Sequence, residues 1–374
     1  MDDYKDKKNK LLGLKKQIVS MPNNMLKINK TEGFVQLLGY LREIDVILPN
    51  EYDKYNIDND FSIKYDRHVV KKTQNKINEV MKLAPYLLTK YSILIDEYKK
   101  NDFCSFEISL NNKINKDEMY IYFGEFLNLL GSDIVKLYNK MVSDNNIYLL
   151  PQFEFLGVSL NSITVDNPCI IIDDIEQYID FYTTLIHELG HCYQFYLQRN
   201  HTHLESFNPF METTSLFLEK MFIEFLKTKK IFNDYIKNYI LEDNIYFLND
   251  ISISKCLCQH FINRDISNIN AYDLSYSSNT SHEDLLLEVT RDCGYIMENK
   301  LNLSLTEFHY SLGNIIATYF VKKMKKDFYG TWKEYKDFIC MVDNYPLKEI
   351  MDEYFDVNLM KEEIKTFIKS YHSR

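Results

Sequence analysis

The sequence predicts a mainly α protein with one small β-sheet placed just ahead of a central helix. Three observations point there. Glycine and proline are scarce, 10 and 7 in 374 residues, so sharp chain breaks are few. Most of the chain repeats its apolar residues at helical spacing. Residues 147–172 are instead rich in β-branched and aromatic types.

The elements follow in order. Phe34 to Ile47 and Val69 to Tyr98 have apolar residues at helical period, the second with an interruption at Pro85. Phe103 to Leu110 reads as a strand, and Lys116 to Val142 returns to helix. Ile147 to Leu150, Phe155 to Val165 and Pro168 to Ile172 make up the β-rich stretch. Asp173 and Asp174 end it, placed to cap the helix that follows. From Ile175 the pattern is helical almost to the end, with breaks around His201 to Pro209, Ser275 to Ser281 and Thr331. No repeat or low-complexity linker divides the chain. A mostly helical region over residues 1–145 and a second region over 146–374 are expected to form one structural unit.

Composition excludes several classes. The net charge is −10, against the basic face that nucleic-acid binding needs. The runs Lys7 to Lys10 and Lys322 to Lys326 read as solvated ends and faces. No stretch approaches the ~18 apolar residues of a membrane span. The N-terminus lacks the basic start and apolar core of a signal peptide. The 7 cysteines are odd in number and scattered, as expected for reduced thiols in the cytoplasm. Cys256 and Cys258, the one close pair, read as two small buried apolar residues.

The central helix carries the chemistry. Thr183 to His191 contains His187-Glu188-Leu189-Gly190-His191, an H-E-x-x-H pattern. Positions i and i+4 share a helix face, so both imidazoles reach one Zn²⁺. Glu188, next to the first histidine, stands beside the metal, where it can deprotonate a bound water. Gly190 costs a helix ~1 kcal/mol against alanine, which makes sense where a neighbouring element passes close by. A third ligand is needed, and Glu212 supplies it from the next helical stretch, Met211 to Glu219. That stretch is apolar around it, and a buried carboxylate calls for a cation. Glu219, seven residues on, shares its face and either accepts from a ligating histidine or pairs with a surface lysine. His201 and His203 are rival ligands. The longer pattern with a third histidine requires Gly and His where this chain has Gln194 and Leu197, so it does not apply.

Thr184 to His191, followed by Glu212, Ser215 and Glu219 in an E-x-x-S-x-x-x-E pattern, resembles the thimet oligopeptidase and oligoendopeptidase F family of zinc peptidases. Phe308 to Gly313 is similar to that family's tyrosine-rich helix, and Tyr335 to Leu359 resembles its C-terminal end. The resemblance implies a zincin-like, neurolysin-type helical architecture with a deep cleft, shortened in its N-terminal half. It implies His187, His191 and Glu212 as zinc ligands, Glu188 as general base, and Glu219 and Ser215 as their supports. It implies Tyr310 as donor to the oxyanion, with His309 as substitute where Phe308 replaces a second family tyrosine. It implies Cys169, Ile170 and Ile171, on the strand before the helix, as an edge that binds substrate backbone. The activity implied is cytosolic, zinc-dependent hydrolysis of internal bonds in short unfolded peptides, with no nucleic-acid or membrane partner. A dedicated leader- or modified-peptide processing enzyme and a zinc-containing peptide-binding pseudoenzyme are the two alternatives.

Overall fold

The computed structural model describes residues 67–100, 115–144, 146–150, 157–160, 168–173, 179–198, 209–229, 233–263 and 306–372. The helix expected at Phe34 to Ile47, the strand expected at Phe103 to Leu110 and the break expected at Ser275 to Ser281 lie outside them, as do His201 and His203.

Helix α1 spans Arg67–Lys100 and runs through Pro85 without the expected interruption. A proline inside a helix costs ~3 kcal/mol. The buried side chains of Ala84, Leu87, Tyr91, Leu94, Ile95 and Tyr98 offset it, since each large apolar group buried contributes ~1.5–3 kcal/mol. The expected single helix from Lys116 to Val142 is two, α2 (Lys116–Leu130) and α3 (Ser132–Ser143). Gly131 separates them at φ 123°, a conformation open to glycine. Asn115 starts α2 by accepting from the N–H groups of Asp117 and Glu118.

Three short strands follow: β1 (Ile147–Leu150), β2 (Gly157–Leu160) and β3 (Cys169–Asp173). The sheet order is β1-β3-β2. β1 pairs parallel to β3 with Ile147 opposite Ile170, and β2 pairs antiparallel with Gly157 opposite Ile172. β3 is therefore the middle strand. Its buried residues Ile170 and Ile172 are two apart, the spacing of one sheet face.

The other described elements are helical: α4 (Ile179–Gln198), α5 (Thr213–Lys229), α6 (Asn233–Asn263), α7 (Thr306–Met324), α8 (Phe328–Met341), α9 (Leu347–Tyr354) and α10 (Val357–His372). The break expected at Thr331 falls earlier. Asp327 caps α8 by accepting from Gly330 N–H at 3.1 Å, and Thr331 is buried inside that helix. α4 packs on β2, β3 and α5, and α7 packs across α5 and α6. α1 lies along α6 and α10. The aromatic excess goes into this core: Phe217 stacks on Tyr335 at 4.1 Å and Trp332 on Tyr193 at 5.9 Å. Cys256 and Cys258 are buried in α6, as expected. Among the described residues, no helix is long and apolar enough to cross a membrane.

Candidate metal centre

Helix α4 places His187 and His191 one turn apart, their rings 5.1 Å apart and nearly perpendicular. Glu212 comes from the turn that starts α5, where its carbonyl accepts from Leu216 N–H at 3.1 Å. Its Oε2 lies 3.3 Å from His187 Nε2 and 3.2 Å from His191 Nε2. Ser215 donates to the same oxygen at 2.9 Å. One ligand atom from each of the three residues falls within 4.8 Å of the others.

Two glycines let the backbones converge here. A Cβ on Gly190 would stand 2.6 Å from Ser215 Cα, so only glycine lets α4 press against the start of α5. A Cβ on Gly313 of α7 would lie 3.1 Å from the Glu212 carbonyl carbon. Glu212 is thus held between α4 and α7.

The electrostatics fit a cation. Burial alone would raise the Glu212 pKa, but His191 and His187 hold it well below the usual carboxylate range. Burial likewise opposes charge on His187, yet the hydrogen bonds to Glu212 and Glu219 carry its pKa well above the ordinary value. A buried carboxylate whose ring neighbours are two imidazoles is a His₂Glu donor set, the set of catalytic zinc sites that keep one position open. The residues present fit zinc.

Glu219 accepts from His187 Nδ1–H at 2.9 Å, the arrangement that presents Nε2 toward Glu212. Glu219 therefore makes its contact in the ligand set with His187. Glu188 is buried, its side chain against β2, where a Cβ on Gly157 would meet Glu188 Cγ at 3.0 Å and Thr184 Cγ2 at 2.6 Å. Tyr310 is partly buried on α7. The Glu212 carboxylate first, then burial and Glu188, push its hydroxyl well above the ordinary tyrosine value. His309 is buried, which lowers its pKa to about 4 against the opposing pull of Glu212.

The substrate-edge expectation is corrected. Cys169, Ile170 and Ile171 lie in β3, which has neighbours on both sides, so its backbone groups are taken by β1 and β2. The edge next to α4 belongs to β2. Two further participants, Gly157 and Tyr239, lie outside the sequence motifs. Gly157 carried a faint signal, being a lone glycine inside a strand pattern. Tyr239, whose hydroxyl donates to Glu219 Oε1 at 2.6 Å, carried none among 29 tyrosines.

No family model and no curated protein matches the sequence. Among solved structures, the chain is similar to one assigned as an oligoendopeptidase F from Bacillus anthracis, at 14% identity and a TM-score of 0.50, over 89% of this chain and 65% of that one. The fold is that of oligoendopeptidase F. This chain thus spans just under two thirds of that relative's length, 65%. It also aligns with an assigned peptidase from Chlamydophila abortus at 16% identity and a TM-score of 0.49, over 90% of this chain and 60% of that one. A PZ peptidase A crystallised with an inhibitor aligns at 14% identity and a TM-score of 0.49, over 92% and 66% of the two chains.

Proposed function

We propose that this chain is a zinc-dependent peptidase that cleaves internal bonds of short unfolded peptides. One observation carries the reading: two imidazole nitrogens of an H-E-x-x-H helix converge on Glu212 Oε2 at 3.3 and 3.2 Å, with Glu188 buried alongside. The similarity in fold to oligoendopeptidase F supports it. His187, His191 and Glu212 would hold the ion. Zinc bound there polarises a carbonyl and lowers the pKa of its water toward ~7.

The remaining work falls to the chain's own groups. Glu188 takes the proton from the attacking water and returns it to the leaving amine. Glu219 keeps the His187 Nδ1 proton in place, which leaves Nε2 free to ligate. Ser215 holds the Glu212 carboxylate at a fixed angle. Tyr310, a phenol that keeps its proton at neutral pH, would donate it to the developing oxyanion. Among the described residues β2 pairs only with β3, and its other side would take a peptide backbone as an added strand.

The test is a quenched-peptide assay of wild type and Glu188→Gln, with bound zinc measured in both. The expected result is equal zinc content and activity lowered by roughly 10²–10⁴ in the variant. A variant as active as the wild type would refute the assigned base, and a wild type without metal would refute the reading as a whole.

A further inference from the structure

Helix α6 carries no proposed ligand and no proposed catalytic group, yet one of its faces touches all three helices that do. Tyr235, Tyr239 and Asp243 stand at i, i+4 and i+8, one row along the helix. The Tyr235 hydroxyl lies 3.3 Å from Asp180 Oδ1 and 3.3 Å from Thr183 Oγ1, both in the first turns of α4. Tyr239 donates to Glu219 Oε1 on α5 at 2.6 Å. Asp243 accepts from Lys220 of α5 at 2.5 Å and from Asn314 of α7 at 3.2 Å.

The middle contact reaches the site. Each Glu219 oxygen has its own donor: Oε2 takes His187 Nδ1–H and Oε1 takes the Tyr239 hydroxyl. A carboxylate held at both oxygens cannot rotate. Resting on the zinc reading above, we infer that Tyr239 is a positioning residue for the metal centre, acting on His187 through Glu219. Without the hydroxyl, Oε1 of this half-buried carboxylate would lose the donor that fixes it, and the carboxylate would swing toward another. That motion takes Oε2 away from His187 Nδ1 and frees the ring to turn. An opposing effect exists, since a less restrained carboxylate is more basic and strengthens His187 as a ligand. Losing a charge-assisted hydrogen bond that fixes a half-buried carboxylate is the larger of the two, so removing the hydroxyl weakens metal binding.

The experiment measures zinc affinity by competition with a chromophoric chelator for wild type, Tyr239→Phe, Glu219→Gln and the double variant. Tyr239→Phe keeps the ring beside Tyr235 and is expected to weaken affinity roughly tenfold. Glu219→Gln turns an acceptor toward Tyr239 and a donor toward His187, and is expected to weaken it by 10- to 100-fold. The double variant should bind zinc no more weakly than Glu219→Gln alone, because Tyr239 acts only through that residue. Tyr246→Phe, an exposed tyrosine on the same helix, should match wild type. A merely structural tyrosine would lower the melting temperature of the metal-free protein and leave the affinity unmoved. Wild-type affinity in Tyr239→Phe, or a double-variant loss equal to the product of the two single losses, would overturn the inference. A wild type that takes up no zinc would overturn the metal-centre reading and the inference together.

Discussion

Gly190 lies directly against Ser215, so close that a Cβ on the glycine would stand 2.6 Å from the serine Cα and 2.9 Å from its N. Alanine at this position would improve helix propensity by ~1 kcal/mol. It would also drive a methyl into backbone, which no rotamer change relieves, and such overpacking costs about 1–3 kcal/mol. The clash wins. Gly190→Ala is expected to lower the urea midpoint of the metal-free protein and to weaken zinc binding by spreading α4 from α5. A variant as stable as wild type would mean that the helices part without cost.

Gly157 faces a softer obstacle. Its added methyl would meet Thr184 Cγ2 at 2.6 Å and Glu188 Cγ at 3.0 Å, both side-chain atoms. Gly157→Ala is therefore expected to leave zinc content intact and to lower kcat at least tenfold by displacing Glu188. Thr184→Ser removes Cγ2, so the pair Gly157→Ala with Thr184→Ser should recover part of that loss. Steady-state kinetics of the three variants decide it, and no recovery in the pair would show that the strand, not the threonine, is displaced.

Ser215 supplies Glu212 Oε2 with a hydroxyl donor at 2.9 Å inside the protein. Ser215→Ala removes it and leaves the carboxylate to its imidazole neighbours. The expected outcome is zinc affinity weaker by roughly tenfold with the fold retained. Chelator competition and circular dichroism, run together, check both halves of the statement.

His309 gives the metal-free protein a pH dependence of known sign. Its pKa falls from the ordinary 6.5 to about 4 in the folded state, chiefly through burial. Between those values the unfolded chain binds the proton and the folded one does not. Stability from this group is thus complete above pH ~6.5 and is lost as pH falls toward 4, by up to about 3 kcal/mol. Urea unfolding at pH 7 and pH 4.5 should show a smaller fall for His309→Leu than for wild type. Equal falls would mean that the ring is not held neutral.

Some of this was written in the sequence and some could not be. His187, Glu188 and His191 are legible because a helix converts a spacing of four into a shared face. Glu212 is legible as a carboxylate inside an apolar helical stretch, and Glu219 through its offset of seven, whereas Ser215 comes from the family resemblance alone. The three strands were visible in composition, but their order was not. That β3 sits between β1 and β2 depends on pairing between segments, which the residues of β3 do not encode. Pro85 misled because the local cost of proline was readable, whereas the buried row from Ala84 to Tyr98 that outweighs it depends on packing against α6 and α10. Tyr239 and Gly157 act through contacts between separate elements, and nothing in their own neighbourhoods announces those partners.

The three proposed ligands and the two groups that hold them come from consecutive helices, within residues 187–219. Their contacts are therefore local in the chain, unlike those of α1 with α10, which join opposite ends of the described structure. Closing a short loop costs little entropy, and lengthening it adds only ~0.6 kcal/mol per doubling. α4 and α5 can consequently come together before the long-range helices dock. Zinc supplied during refolding would then act on an early, partly built species, speeding folding rather than only slowing unfolding.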